Sequence, residues 1–212
     1  MNITVNDLSL EISGVKILHQ ISFQIPDKSF TCMIGSNGAG KSTLIKAITR
    51  EITGYSGSIS EIKENELSYL PQKLIAPAFI TVFEVVHTGF YGVEMSKKEK
   101  VIATNKLLEQ CGIEHVKDGT FSDVSAGEQQ KTWLAFALAQ SKDLIIMDEP
   151  LSSVDPPSRE SFYELLRKIS NNGKTLIVVT HDLDMAIKYS DKIICLNKGN
   201  KVFEGKPSAF PK

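Results

Sequence analysis

The sequence predicts an α/β fold, with an opening pair of strands and a mainly helical insert between two runs of alternating strand and helix. Three observations predict it. Apolar, strand-like runs recur at Phe30–Ile34, Leu144–Met147, Thr175–Val179 and Lys192–Leu196, and those lacking polar alternation read as strands buried on both faces. Helix signals fall between these runs. From Pro71 to about residue 142 the texture changes, and helix starts and stops dominate.

Taken in order, Ile3–Leu10 and Ile17–Ile25 alternate well enough to be paired strands. Phe30–Ile34 is a buried strand feeding a glycine-rich loop, and Lys41–Thr49 reads as the helix after it. Gly57–Ile62 and Leu67–Leu70 are short strands. Ser96-Lys97-Lys98-Glu99 has the form of a capping box and opens a helix to about Gln110, stopped by Gly112. Ala126–Gln140 is a second helix of the insert. Asp155 as N-cap and Pro156 at the first helical position start a helix to Ile169. Asn171-Asn172-Gly173 turns into the strand Thr175–Val179, Asp182 caps a helix to Tyr189, and Asn197-Lys198-Gly199-Asn200 is a hairpin turn between the strands Lys192–Leu196 and Lys201–Glu204.

At 212 residues the chain suffices for one large α/β domain. Its formal net charge of −1 argues against electrostatic capture of nucleic acid or an anionic membrane. No apolar run approaches the ~20 residues that span a bilayer, and residues 1–10 carry no leader pattern. The chain is therefore expected in the cytoplasm, with any membrane role exercised through a partner. Cys32 and Cys195 lie in apolar runs and are expected to be buried small hydrophobes. His87 and His115 are isolated and do not make a metal site.

Gly35-Ser36-Asn37-Gly38-Ala39-Gly40-Lys41-Ser42 fits G-x-x-x-x-G-K-[ST] in full. In this pattern the glycines let backbone N–H groups curl around phosphate oxygens, the lysine supplies a charge for the β- and γ-phosphates, and the hydroxyl can ligate Mg²⁺. The helix that follows turns its positive end to the same anion. Leu144-Ile145-Ile146-Met147-Asp148-Glu149-Pro150 is an apolar strand ending in two acids. A buried parallel strand delivers such acids to the sheet edge where open α/β sheets bind ligands. There Asp148 can hold Mg²⁺ through water, and Glu149 can act as general base on the attacking water.

The order phosphate loop, Gln72, Ser125-Ala126-Gly127-Glu128, Asp148-Glu149, Ser153-Val154-Asp155, His181 resembles the ATP-binding subunit of an ABC transporter over almost the whole chain. The resemblance implies a P-loop NTPase core with a mixed sheet (residues 1–72 and 143–212), an antiparallel β subdomain and an inserted helical subdomain (about 73–142). It implies ATP and Mg²⁺ as ligands. Gly35, Ser36, Asn37, Gly38, Ala39, Gly40, Lys41, Ser42 and Thr43 would bind the nucleotide, and Ser42, Gln72 and Asp148 the metal. Glu149 and His181 would be catalytic. Ser125, Gly127 and Glu128 correspond to the signature that caps the γ-phosphate held by a second subunit, Gln72 to the loop that faces the membrane subunit, and Asp155 to the D-loop acid. The implied partners are a second copy of the chain, a transmembrane permease subunit and a separate solute-binding protein. The assembly would lie at the inner face of the cell membrane.

Thr81–Gly92 and Gln130–Gln140 resemble the importers of metal ions, iron chelates and cobalamin. The alternatives are a soluble ABC-type ATPase without a membrane partner, for example in iron–sulfur cluster assembly or DNA maintenance, and a small-molecule kinase. The kinase reading leaves Ser125-Ala126-Gly127-Glu128 and His181 unexplained. The chain departs from the family pattern where Ile12 stands in place of an aromatic ring that stacks on adenine. Ala126 replaces the first signature glycine, which is tolerable only if its φ is negative. The apolar residues from Phe79 to Tyr91 are expected to flank a groove that takes a short helix of the membrane partner.

Overall fold

A computed structural model describes residues 2–75, 78–151 and 154–211. The chain runs β1 (Ile3–Ile12), β2 (Val15–Ile25), β3 (Phe30–Gly35), α1 (Lys41–Ile48), β4 (Ser56–Ile59), β5 (Leu67–Leu70), α2 (Val82–Thr88), α3 (Lys97–Gln110), α4 (Ala126–Ala139), β6 (Leu144–Asp148), α5 (Pro156–Asn171), β7 (Thr175–Val179), α6 (Leu183–Tyr189), β8 (Lys192–Asn197) and β9 (Asn200–Gly205). Two sheets result. The first is antiparallel, in the order β2-β1-β4, and the second is mixed, in the order β5-β6-β7-β3-β8-β9. Within the second, every pairing is parallel except β8 with β9.

The apolar runs are continuous because the mixed sheet is covered on both faces. Along β3, β6, β7 and β8, successive side chains enter two different cores. Met33, Ile146, Ile177, Val179 and Ile194 meet α1 and the antiparallel sheet on one face. Phe30, Cys32, Ile145, Met147, Leu176, Val178 and Ile193 meet α5, α6 and the helices α2 to α4 on the other. This is the two-residue period of a strand read from both sides. Burying each Leu, Ile or Phe contributes roughly 1.5–3 kcal/mol, so the strand ends are held on a rigid frame.

The helices start where local chemistry ends the neighbouring strand or loop. Asp155 caps α5 by accepting from Ser158 N at 3.1 Å, with prolines opening the first turn. Thr81 with Glu84, Ser96 with Glu99 and Ser125 with Glu128 form capping boxes at α2, α3 and α4.

Four expectations change. The strand expected at 57–62 is shorter and earlier, Ser56–Ile59. Cys195 is half-buried, whereas Cys32, on the central strand β3 between β7 and β8, is buried. Residues 82–88, not read as a helix, form α2. Its Val82, Val85 and Val86, at helical spacing, pack into the core with Phe90, and a Cβ on Gly89 would lie 2.5 Å from the Phe136 carbonyl oxygen. The apolar stretch therefore divides: most of it packs inside, while Phe79 and Tyr91 are more than nine-tenths exposed.

Candidate active site

Four parallel strands end side by side along one sheet edge, in the order β5, β6, β7, β3. The chain leaving each end carries one part of the site: Gln72 after β5, Asp148 and Glu149 at the end of β6, His181 after β7, and the glycine loop after β3. Open α/β sheets bind ligands at this edge.

The loop closes on its own lysine. Lys41 is buried, and its Nζ donates to the carbonyls of Gly35 (2.9 Å) and Ser36 (3.1 Å). Gly40, the N-cap of α1, has φ 98°, a region L side chains avoid, and a Cβ there would stand 2.8 Å from Leu18 Cδ2. Asn37 to Thr43 line a cavity of about 390 Å³ together with Gln72 and Glu149. Its floor is the N-terminal end of α1, whose backbone donors favour an anion.

Glu149 is the hub. One carboxylate oxygen, Oε1, lies 2.5 Å from His181 Nε2 and 3.8 Å from Lys41 Nζ. The other, Oε2, accepts from Gln72 Nε2 at 2.9 Å. Glu149 has a left-handed backbone, φ 49°, and its N–H donates to the Val179 carbonyl of β7 at 3.0 Å. That bond fixes the turn out of β6 against the strand that carries His181. A second cavity, about 280 Å³, opens on the far side of Glu149 and His181 and is lined also by Leu151, Arg159, Thr180 and Asp182.

Asp148 is buried, and its Oδ1 has no hydrogen-bond partner in the protein. Burial pushes its carboxyl above the usual carboxylate range; a hydrogen bond from Ser42 opposes this, and the neighbouring Glu149 charge adds to it. An orphaned carboxylate oxygen beside a serine hydroxyl is a hard-oxygen donor set, which fits Mg²⁺. Among the described residues there is no cluster of three or more His, Cys, Asp or Glu that would bind a softer metal.

The remaining residues singled out in the sequence form a separate group. Ser125, Gly127, Glu128 and Asp155 do not line the cavity of the phosphate loop. They sit where the starts of α4 and α5 meet. Gly127 has no positive φ; a Cβ there would lie 3.2 Å from Ser158 Cβ, a tight contact that a shift of a few tenths of an ångström would relieve. Ala126 likewise has no positive φ, so the alanine is accommodated without strain. Ser153, named with this group, lies outside the described residues. Ile12 is two-fifths exposed at the tip of the β1–β2 hairpin, opposite the exposed Val15.

Sequence reasoning missed two partners. Arg159 bridges the Val154 carbonyl (3.0 Å) and Asp182 Oδ2 (3.0 Å), tying the segment after Glu149 to the one after His181. His115 pairs with Glu128, Nε2 to Oε1 at 2.9 Å. Neither has a local motif that could have flagged it.

A mixed sheet whose parallel strands bring a lysine-bearing glycine loop, a buried acid and a second carboxylate paired with Gln72 and His181 to one edge defines a phosphate-loop nucleoside triphosphatase. Residues 18–152 match the family model described as ABC transporter. The zinc transport system ATP-binding protein TroB of Treponema pallidum is 35% identical over 92% of this chain and 78% of its own. The zinc import ATP-binding protein ZnuC of Ehrlichia chaffeensis is 33% identical over 99% and 86%. The ferric enterobactin transport ATP-binding protein FepC of Escherichia coli is 32% identical over 94% and 80%. The chain belongs to the ABC transporter family, as an ATP-hydrolysing ATP-binding subunit. The fold agrees: cbiO1 of Clostridium perfringens, part of the cbiONQ transporter complex, superposes with a TM-score of 0.87 at 24% identity, covering 97% of this chain and 88% of its own.

Proposed function

We propose that two copies of this chain sandwich two Mg·ATP and drive import of a metal ion or metal chelate through a transmembrane partner. The single observation that carries the two-copy reading is the division of the site. Asn37 to Thr43, Gln72 and Glu149 line one cavity, while Ser125, Gly127, Glu128 and Asp155 form a second group at the meeting of α4 and α5. A head-to-tail pair brings the second group of one copy onto the first group of the other.

In this reading the loop N–H groups and Lys41 hold the phosphates, with Lys41 giving up its bonds to Gly35 and Ser36 carbonyls. Ser42 and Asp148, joined by Gln72, would hold Mg²⁺, which would supply charge neutralisation for the transferring phosphate. Glu149 takes the proton of the attacking water, oriented by His181 and Gln72. His181 reaches the γ-phosphate from the end of β7. Gln72 also lines a groove of about 300 Å³ with Ile75, Gln129 and Trp133, and Ile75, Phe79 and Tyr91 are almost fully exposed nearby in the chain. The groove beside Gln72 receives the membrane subunit, so the helical segment 73–142 moves with the permease while the core 1–72 and 143–212 holds nucleotide. The complex lies at the inner face of the membrane and is supplied by a separate solute-binding protein. No helix among the described residues is long and apolar enough to cross a membrane.

The solute assignment draws on relatives named for zinc and for ferric enterobactin. Reconstitution of the full complex in liposomes, with uptake of zinc, iron chelate and cobalamin compared, tests it. ATP-dependent uptake of one of these supports the reading. Purification free of any membrane subunit from cells expressing both, with full ATPase activity, refutes it in favour of a stand-alone ATPase.

A further inference from the structure

Ser125 and Glu128 do more than start a helix. Glu128 Oε2 accepts from Ser125 N at 2.9 Å and from Ser125 Oγ at 2.6 Å. A serine hydroxyl has one proton, and here it is committed to Glu128. If Ser125 is to donate to a phosphate of the other subunit, as the two-copy reading requires, it must turn that proton away. The Glu128 carboxylate then loses its shortest hydrogen bond while a polyanion arrives at the same turn.

His115 stands outside this capping box, in the one-turn helix Glu114–Val116 that follows α3. Its Nε2 is 2.9 Å from Glu128 Oε1, the oxygen Ser125 does not use. Hydrogen bonds from Ser125, joined by the His115 contact, hold the Glu128 carboxyl below the usual range, so it is ionised and Nε2 must carry the proton. Glu128 therefore keeps the Ser125 N–H and His115 bonds when the hydroxyl leaves.

We propose that His115 is a positioning residue for the signature turn: its ring N–H anchors the Glu128 carboxylate by a hydrogen bond, so that Ser125 can donate to a γ-phosphate bound by a second copy of the chain. The proposal rests on the two-copy reading above. His115 is two-thirds exposed, so its loss leaves the core intact, and the effect falls on the contact between subunits.

The test uses the full chain in a Glu149→Gln background, which slows hydrolysis, and compares His115→Ala with His115→Gln, whose amide can donate again. Three quantities are read: ATP affinity of the monomer at low protein concentration, thermal midpoint, and ATP-driven dimerisation by light scattering. The expected result for His115→Ala is unchanged monomer affinity and midpoint, with dimerisation weakened about threefold to tenfold, the range of one hydrogen bond. His115→Gln restores dimerisation. Dimerisation equal to the parent's, or an equal fall in monomer affinity and midpoint, overturns the proposal while leaving the two-copy reading standing. A Glu149→Gln parent that stays monomeric in saturating Mg·ATP overturns the two-copy reading and the proposal with it.

Discussion

Glu149→Gln is the most informative single change. In the wild type, Oε1 faces His181 and Lys41 while Oε2 accepts from Gln72. The amide can keep one acceptor oxygen toward one of these donors, but its NH₂ faces the others and cannot take a proton from water. A positioned general base contributes ~10²–10⁴-fold, which is about 2.7–5.4 kcal/mol at 1.36 kcal/mol per decade. Binding should survive, because removing an anion 3.8 Å from Lys41 leaves that lysine freer for phosphate oxygens. The assay is single-turnover phosphate release at saturating Mg·ATP, with nucleotide affinity and molecular mass measured on the same preparation. The expected outcome is slow release, retained ATP and a stable dimer. Release within about tenfold of wild type would fall below the range for a general base and refute this role for Glu149.

Other outcomes follow from the same geometry. Lys41→Ala should weaken triphosphate binding by about ten- to a hundredfold, the range for a hydrogen bond to a charged group, seen by equilibrium nucleotide titration. His181→Ala should cut turnover and spare that affinity; full turnover would leave His181 a structural residue. Asp148→Asn should abolish Mg²⁺-dependent turnover yet raise the thermal midpoint at neutral pH. The folded-state pKa of Asp148 is raised by burial, so its ionised form opposes folding; the penalty is absent in acid below the ordinary carboxylate range and grows as pH rises through the folded pKa. A midpoint gain that does not shrink on acidification would contradict this. Ile12→Tyr should tighten ATP several-fold, on the order of 1 kcal/mol, by adding a ring to stack on the base, and should sharpen discrimination against GTP. Unchanged affinities for both would show that Ile12 does not face the base.

The parts of the molecule legible in the sequence are those written in contiguous residues. The glycine loop, the acids closing β6 and the capped starts of α3 and α5 each carry their signal within eight residues or fewer. α2 was hidden because Thr81-Val82-Phe83-Glu84-Val85-Val86 is rich in β-branched residues, which disfavour a helix on intrinsic grounds. Packing of Val82, Val85 and Val86 into the core overrides that preference. Thr81-x-x-Glu84 was the available sign, since it has the same capping form as Ser96-x-x-Glu99. The convergence of Gln72, His181 and Lys41 on Glu149 was not legible, because it depends on the strand order β5-β6-β7-β3, which no local pattern states. The close approach of Gly127 to Ser158, thirty-one positions on in the chain, was not legible either.

The turn out of β6 has a bearing on how this protein could be engineered. At residue 148 it buries a carboxylate oxygen with no partner, and at 149 it holds a side-chain-bearing residue at φ 49°, a conformation costing roughly 1–3 kcal/mol. Both costs fall on adjacent residues that the fold itself does not need. A library of variants screened only for resistance to heat would therefore be enriched first in changes such as Asp148→Asn and Glu149→Gly. Each surviving clone would be sturdier and inert. Any thermostabilisation of this subunit has to carry an ATP-turnover screen in the same round, or hold these two codons fixed.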